Sequence, residues 1–450
     1  MTSEPETVAA PGPGAQEDST GAGSREDPAG PGPRGRSAEA GPKEDVGEVG
    51  EVGDEGALFW SLDDLKALDF DPLLTTLLRE EPVARIRLPF GEGTAWLVTR
   101  YDDVKQVTSD PRLSRRALAE REVTSGSPHA IAAKHAALNY TDPPHLNTLR
   151  RVVARAFTGR SMERLWPMAR RRAESLLDGM ERNGPPGDLM QHLHGPFPLS
   201  VVCDLLGLPE GERAGMTSWA NVIMAPRQAP ARSEEARATV RDVVVGLLDR
   251  RRTEPGEDLA GVLAAAVKDA EISDDEAVSL ATAILVSGAH AVRNNSANMV
   301  YALLTHPEQL ARLRAEPRML PQAVEELLRY IPHRNGVGLP RIATEDLEVG
   351  GVRIRAGEAV YCSYLSANRD PAVFTDPHTL DLGREAVTHL SFGFGPHHCV
   401  GAMLARMESE VMIATLLDRY PRLALAVPPE EIAWEEGALI RGPKTLPVRW

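Results

Sequence analysis

The reactive chemistry of this sequence centres on Cys399, which lies in the segment FGFGPHHCVG. Cys399 is predicted to start a helix, where the helix dipole and free backbone N–H groups stabilise a thiolate. Gly393 and Gly395 allow the preceding backbone to bend closely around the sulfur. Gly401 leaves room for a flat group against the first turn, and Phe392 supplies an apolar lid. One soft thiolate in a dry pocket suits an iron porphyrin better than zinc; the alternative is a buried structural cysteine.

This segment resembles the haem-binding signature of the cytochrome P450 family at every fixed position. Other stretches agree with that family in the same order along the chain, namely Asp142–Arg150, Glu326–Arg329, Arg341–Asp346 and Ala367–Pro371. The resemblance covers residues 58–450. It implies a mainly α fold with small β-sheets, in which a long central helix runs over a buried haem b, and it makes Cys399 the proximal iron ligand.

The resemblance also assigns the haem propionates. It implies that Arg150, Arg341 and His397 hold them, and a guanidinium suits this role because its planar fork can bind both carboxylate oxygens. The alternative for Arg150 is a solvated position, because it belongs to a basic pair with Arg151. The Glu326 and Arg329 side chains are expected to form the family's buried ion pair, although this spacing alone more often gives a surface pair.

The sequence departs from the family pattern at two supporting positions. Leu146 stands where the family usually has a histidine before Arg150, and His145 is one place away, which makes His145 a weak candidate for cofactor binding. The element Pro-x-Arg-Phe is replaced by Pro377–Leu380, so the third member of the Glu–Arg–Arg brace is missing. Arg384 is the candidate replacement.

A third departure concerns proton delivery. Where the family typically has Ala/Gly-Gly-x-acid-Thr in its long helix, this chain has Gly288, with His290 in place of the acid and Ala291 in place of the threonine. Gly288 costs about 1 kcal/mol relative to alanine within a helix, which indicates backbone room over the haem. Splitting of the O–O bond needs protons. Without the threonine hydroxyl, these protons must come from ordered water, from the substrate or from His290. The alternative is that His290 fills a gap between helices and bonds a carbonyl.

The elements that position these residues follow from local patterns. Ser273 and Glu276 form a capping box, and the apolar pattern that follows continues to Thr305, which gives a helix of roughly 50 Å through the core. Residues 146–330 are predicted to be mostly helical, with breaks at 184–187 and 225–232. A helix over 72–80, a hairpin of strands 84–88 and 94–99, short strands around 341–361 and a final helix from Cys399 to about Leu417 complete the expected fold.

Composition limits the function class. Residues 1–56 contain 13 Asp and Glu against 4 Lys and Arg and almost no large apolar side chains, so they are predicted to be a disordered tail. Residues 57–450 are expected to form one catalytic domain.

The net charge of −15 argues against nucleic acid as a partner. No run of about 18 apolar residues and no signal-peptide pattern occurs, so no membrane partner is expected, and the cytoplasm is the expected location.

The resemblance implies a monooxygenase that uses O₂ and electrons from a separate ferredoxin to oxidise a small organic molecule, such as a macrolide, peptide or aromatic scaffold of secondary metabolism. A coupling oxidase that joins phenols or indoles without inserting oxygen is one alternative, and a non-catalytic haem-binding protein is another. By resemblance, substrate contacts are expected from residues 115–141, 216–232, Ala289–Val292 and Asn335–Leu339.

Overall fold

The computed structural model describes residues 56–62, 65–126, 138–213, 215–216, 218–219, 230–334, 336–438 and 440–450. These residues all belong to one compact unit. The predicted tail lies outside the described residues up to position 55, so its disorder and the boundary at 56 stay predictions.

Helices make up most of the described chain, as the sequence predicts. They are α1 Pro72–Glu80, α2 Tyr101–Ser109, α3 His145–Ala154, α4 Gly159–Glu181, α5 Pro196–Leu206, α6 Pro230–Thr253, α7 Leu259–Lys268, α8 Asp274–Thr305, α9 Pro307–Ala315, α10 Leu320–Tyr330, α11 Tyr364–Ala367 and α12 Ala402–Arg419. The predicted bounds of α1 are confirmed, and its start is capped by the Asp71 carboxylate, which accepts from the Leu73 N–H. No helix in the described residues is long and apolar enough to cross a membrane.

Helix α8 is the scaffold of the fold. The Ser273 side chain accepts from the Glu276 N–H while the Glu276 carboxylate accepts from the Ser273 N–H, so both halves of the predicted capping box form. The helix runs for 32 residues and ends at His306, where Pro307 begins α9. Most of its side chains are buried, and it packs along α5 and α12. The predicted through-core helix is confirmed.

The strands form small sheets beside the helical core. They are β1 Leu58–Phe59, β2 Val83–Arg87, β3 Ala95–Val98, β4 Leu113–Ser114, β5 Gly187–Asp188, β6 Arg341–Ala343, β7 Leu347–Val349, β8 Val352–Ile354, β9 Ala359–Cys362, β10 Ala424–Leu425 and β11 Pro447–Arg449. The largest sheet has the order β1-β2-β3-β9-β6-β4, a second has β10-β11-β5, and β7 pairs with β8.

The predicted hairpin is confirmed, because β2 and β3 pair antiparallel with Val83 opposite Val98. Gly91 between them has φ +75°, and a side chain there would meet the Val123 carbonyl oxygen. Strand β9 lies parallel to β3 and antiparallel to β6, so the sheet holds Arg341 opposite Val360 in its interior.

The predicted start of the last helix is wrong by three residues. Helix α12 begins at Ala402 with Gly401 as its N-cap, and Cys399 lies in the turn before it. The reason is that Gly395–His397 form one 3₁₀ turn, after which the chain folds back before entering the helix. The sulfur is therefore presented by a loop in front of the helix.

Candidate active site

The cysteine loop, Phe392–Gly401, has a tightly fixed backbone. Gly393 and Gly395 adopt φ of +76° and +71°, in the left-handed region that favours glycine. A Cβ at Gly395 would lie 2.5 Å from the carbonyl oxygen of Thr108 in α2, so only glycine allows this close approach. The Cys399 N–H donates to the Phe392 carbonyl oxygen at 2.8 Å. These contacts fix the position of the backbone at Cys399.

Cys399 is exposed, whereas Cys203 and Cys362 are buried. The protein around Cys399 desolvates its thiol and raises the thiol pKa, while the Gly401 N–H and the charges of Arg150 and Arg406 lower it.

Arg115, Arg341 and His397 form a cluster of basic side chains, in which the two arginines carry the positive charge. Arg341 is 2% exposed, and its Nη2 has no hydrogen-bond partner, nor has Nε of Arg115. Burial and the Arg341 charge lower the pKa of Arg115 to about 10, and burial and both arginines lower the pKa of His397 to about 3. Neither guanidinium has an ion pair with a described carboxylate. The cluster therefore fits an anionic group such as a pair of haem propionates.

Arg150 lies on α3 and is directed at the cysteine loop. Its Nη1 donates to the His398 carbonyl oxygen at 2.7 Å, and burial lowers the pKa of its guanidinium. The solvated alternative is thus wrong for Arg150, whereas its neighbour Arg151 is exposed. Its contact with a propionate stays a prediction.

His145 contacts helix α8, and its candidacy for cofactor binding stays a prediction. His145 is exposed, and its Nε2 lies 2.5 Å from Oε1 of Glu276, the capping residue of α8. The neighbouring Leu146 is fully buried and occupies the inward position of the first turn of α3. Adjacent helical residues point about 100° apart, so His145 cannot share the direction of Leu146.

Helix α8 carries one stripe of accessible residues, and Thr282, Gly288 and Arg293 outside this stripe are also half-buried. The four residues of this stripe recur at every fourth position, where Ser287 is exposed and the other three are half-buried: Ala283, Ser287, Ala291 and Asn295. This spacing places them on one face of the helix. Ala291, at the position of the family's threonine, therefore presents a methyl group and no hydroxyl to an accessible face.

His290 lies beside this stripe and is buried. It is 3% exposed, and neither ring nitrogen has a hydrogen-bond partner among the described residues. Burial and the charge of Arg293 lower its pKa to about 4, so the ring is neutral at pH 7. The carbonyl bond of the alternative hypothesis is thus absent among the described residues.

Gly288 faces α5. A Cβ at this position would lie 3.4 Å from Cγ2 of Val202, which is an ordinary van der Waals contact. Packing against α5 therefore does not by itself require a glycine at this position. A role beside the cofactor stays a prediction.

A buried Glu–Arg–Arg brace supports the stretch of chain that precedes the cysteine loop. Arg329 donates to both carboxylate oxygens of Glu326 at 2.7 and 2.8 Å, and both side chains are almost fully buried. Arg384 Nε lies 3.1 Å from each oxygen of the same carboxylate. The proposed replacement of the missing arginine by Arg384 is confirmed. Arg329 also donates to the Asn368 carbonyl oxygen, which ties the brace to the stretch before the loop.

Sequence reasoning missed two groups of residues near the site. Arg115 was expected only as the first residue of a substrate-contact segment, yet it joins Arg341 and His397. Glu325, His389 and Arg406 form a contact network next to Phe392. The adjacent acids Glu325 and Glu326 were a usable signal, because neighbouring helical residues point in different directions and need different partners.

Comparison with known proteins agrees with this geometry. The family model described as Cytochrome P450 matches residues 227–446. Biflaviolin synthase CYP158A1 of Streptomyces coelicolor is 45% identical over 87% of this chain and 96% of its own. The chain belongs to the cytochrome P450 family. Nocardicin C N-oxygenase of Nocardia uniformis subsp. tsuyamanensis is also 45% identical, over 86% of this chain and 97% of its own.

The fold is shared as well. The crystal structure of cytochrome P450mel 107F1 with biaryl coupling reactivity superposes with a TM-score of 0.82 at 43% identity, covering 88% of this chain and all of that one. The protein is thus a P450 monooxygenase of the general kind found in bacterial secondary-metabolite biosynthesis, with haem as cofactor. The mainly α fold is confirmed.

The predicted substrate segments are only partly described. Residues 127–137, 217, 220–229 and Asn335 lie outside the described residues, and Ala289–Val292 lie on α8 as stated above. Contact of any of these segments with substrate stays a prediction.

Proposed function

We propose that this P450 oxidises a small aromatic or macrocyclic secondary metabolite in the cytoplasm, with electrons from a separate ferredoxin. The single observation that carries the haem-thiolate assignment is the exposed Cys399 together with the cations Arg115 and Arg341, which have no described carboxylate partner. When bound, the haem supplies oxygen activation at the thiolate-ligated iron. Cys399 would hold the iron, and Arg341, His397, Arg115 and Arg150 would hold or support the propionate side.

The accessible stripe of α8 would face the substrate. A methyl group at Ala291 cannot pass a proton, so we infer that His290 relays it. The support is that its ring is neutral at pH 7, with one nitrogen that accepts and one N–H that donates, and that neither nitrogen has a hydrogen-bond partner among the described residues. A substrate hydroxyl is the alternative source, and ordered water is the third.

Oxidative coupling is a second candidate, because Ala291 lacks the alcohol and two relatives carry names that indicate joining of aromatic units. The two reactions differ in the fate of oxygen. With ¹⁸O₂ and a reconstituted ferredoxin system, monooxygenation places label in the product, whereas coupling leaves the product unlabelled. A panel of phenolic and macrolide compounds, tested for a shift of the haem spin state, selects the substrate for that experiment.

The ligand assignment has its own test. The reduced wild-type protein with CO should give the red-shifted band typical of thiolate ligation, and Cys399→Ala should lose that band together with activity. A Cys399→Ala protein that keeps the band would disprove the assignment. Oxygen consumption with reductant and substrate separates an enzyme from a haem-binding protein without turnover.

A further inference from the structure

Glu325 and Arg406 form an ion pair on the side of the cysteine loop that faces α10 and α12. Arg406 Nε lies 2.5 Å from Oε1 of Glu325, and its Nη2 lies 2.9 Å from Oε2, which is a bidentate geometry. Glu325 directly precedes Glu326 of the brace but points to a different partner. The pair therefore joins the helix that carries the brace to the helix that follows Cys399.

The pair contacts the cysteine loop through one aromatic ring. The Arg406 guanidinium lies 4.5 Å from the centroid of Phe392, within the range of a cation–π contact. The carbonyl oxygen of Phe392 accepts the hydrogen bond from the Cys399 N–H. The Arg406 guanidinium therefore contacts the residue whose carbonyl oxygen binds the backbone N–H of Cys399.

Ionisable groups from neighbouring segments also face the pair. His389 Nε2 lies 3.2 Å from Oε2 of Glu325, and its Nδ1 accepts from the Ser391 N–H. Burial raises the pKa of the Glu325 carboxyl, but the adjacent His389 and the hydrogen-bonded Arg406 outweigh this effect and hold that pKa near 2. Burial and the negative charge of Glu325 raise the pKa of Glu410, and the charge of Arg406 opposes them. Arg150 approaches the loop separately, at His398. Glu325 is thus charged throughout the physiological range.

We propose that Glu325 and Arg406 are positioning residues that set the reduction potential of the haem bound to Cys399, with Arg406 raising it and Glu325 limiting that increase. Reduction of the iron adds one negative charge, and a nearby cation favours the reduced state. An adjacent carboxylate offsets the cation. The inference rests on haem-thiolate ligation and not on the substrate, so failure of a substrate assay leaves it unaffected.

The two single variants should shift the potential in opposite directions. Arg406→Gln removes the cation and should lower the potential of the holoenzyme, and Glu325→Gln leaves the cation without its carboxylate and should raise it. Each shift should correspond to about a three- to tenfold change in the ferrous-to-ferric ratio at a fixed solution potential. Because both side chains are partly exposed, the shifts should shrink at high salt. The readout is spectroelectrochemical titration.

Arg419→Gln is the matched control. Arg419 is on the same helix and is also paired with carboxylates, Glu181 and Asp178, but at the helix end away from the loop. Its loss should leave the potential unchanged. Arg406→Lys keeps the charge but loses the bidentate geometry, so it should stay near the wild-type potential even where stability falls. Shifts of the same sign in both single variants, or no shift of Glu325→Gln beyond that of the control, would overturn the proposal.

Discussion

The guanidinium of Arg150 donates a 2.7 Å hydrogen bond to the carbonyl oxygen of His398, the residue before Cys399. Helix α3 is thereby attached to the cysteine loop. The same side chain places a positive charge near the sulfur. Arg150 therefore both holds the backbone of the cysteine loop and places a positive charge near the Cys399 sulfur.

Arg150→Gln is expected to weaken haem retention by roughly tenfold, because a charge-assisted hydrogen bond is worth about 1.5–3 kcal/mol. The rate of haem transfer to apomyoglobin measures this. Arg151→Gln is the control, since Arg151 is exposed on the same helix. Equal transfer rates in the two variants would show that Arg150 has no special role.

Loss of Arg384 should destabilise the protein. Arg384→Gln leaves the buried Glu326 carboxylate with one arginine partner, and we expect a loss of about 1–3 kcal/mol in the free energy of unfolding. Arg329→Gln should cost about 3–5 kcal/mol, because it removes the fully buried partner. Arg353→Gln, which breaks an exposed pair with Asp346, should cost less than about 1 kcal/mol. Urea unfolding gives all three values; a different order contradicts the brace.

His290→Phe tests the proton relay. The variant should bind haem and substrate but form about tenfold less product per electron consumed, with more peroxide released, because general acid help is typically worth 10²- to 10⁴-fold. His290→Gln should be milder, since an amide can still hold a water.

Unchanged coupling in His290→Phe would remove His290 from the mechanism. If a deoxy analogue of the substrate then uncouples the wild-type enzyme, the substrate hydroxyl is the proton source.

Buried histidines should make the protein acid-sensitive. His194 is fully buried, its Nδ1 contacts the Ser296 hydroxyl at 2.8 Å, and burial lowers its pKa to about 3. In the unfolded chain the pKa of His194 is about 6.5, so at lower pH the unfolded chain is protonated there while the folded protein keeps the ring neutral. The free energy of unfolding therefore falls as pH falls from 6.5 towards 3. At pH 5, His194 should lower the free energy of unfolding by about 2 kcal/mol relative to its value at neutral pH.

His194→Gln should therefore lose less stability than the wild type between pH 8 and pH 5, as measured by urea unfolding at both values. His290 keeps part of the pH dependence in both proteins. Parallel curves for the two proteins would show that His194 does not contribute.

The sequence predicted the elements whose signals are local. The capping box at Ser273 and the glycines of the hairpin depend on neighbouring residues, and both formed as expected. The start of α12 was misplaced, because the turn at Gly395–His397 depends on its contact with α2. Arg406 and Glu325 were missed because their pairing joins two helices, and only the tertiary structure brings such residues together.

The tail can be tested directly. Removal of residues 1–56 should leave haem content and melting temperature unchanged, since the segment has almost no large apolar side chains to pack. A loss of several degrees would show that it docks on the catalytic domain.

The close approach of Gly395 to the Thr108 carbonyl joins parts of the chain that the ribosome makes at very different times. Thr108 emerges in the first quarter of synthesis, and the cysteine loop emerges only near the end of the 450 residues. Closing so long a connection is slow relative to local helix formation. Binding of haem through Cys399 would therefore require a nearly complete polypeptide.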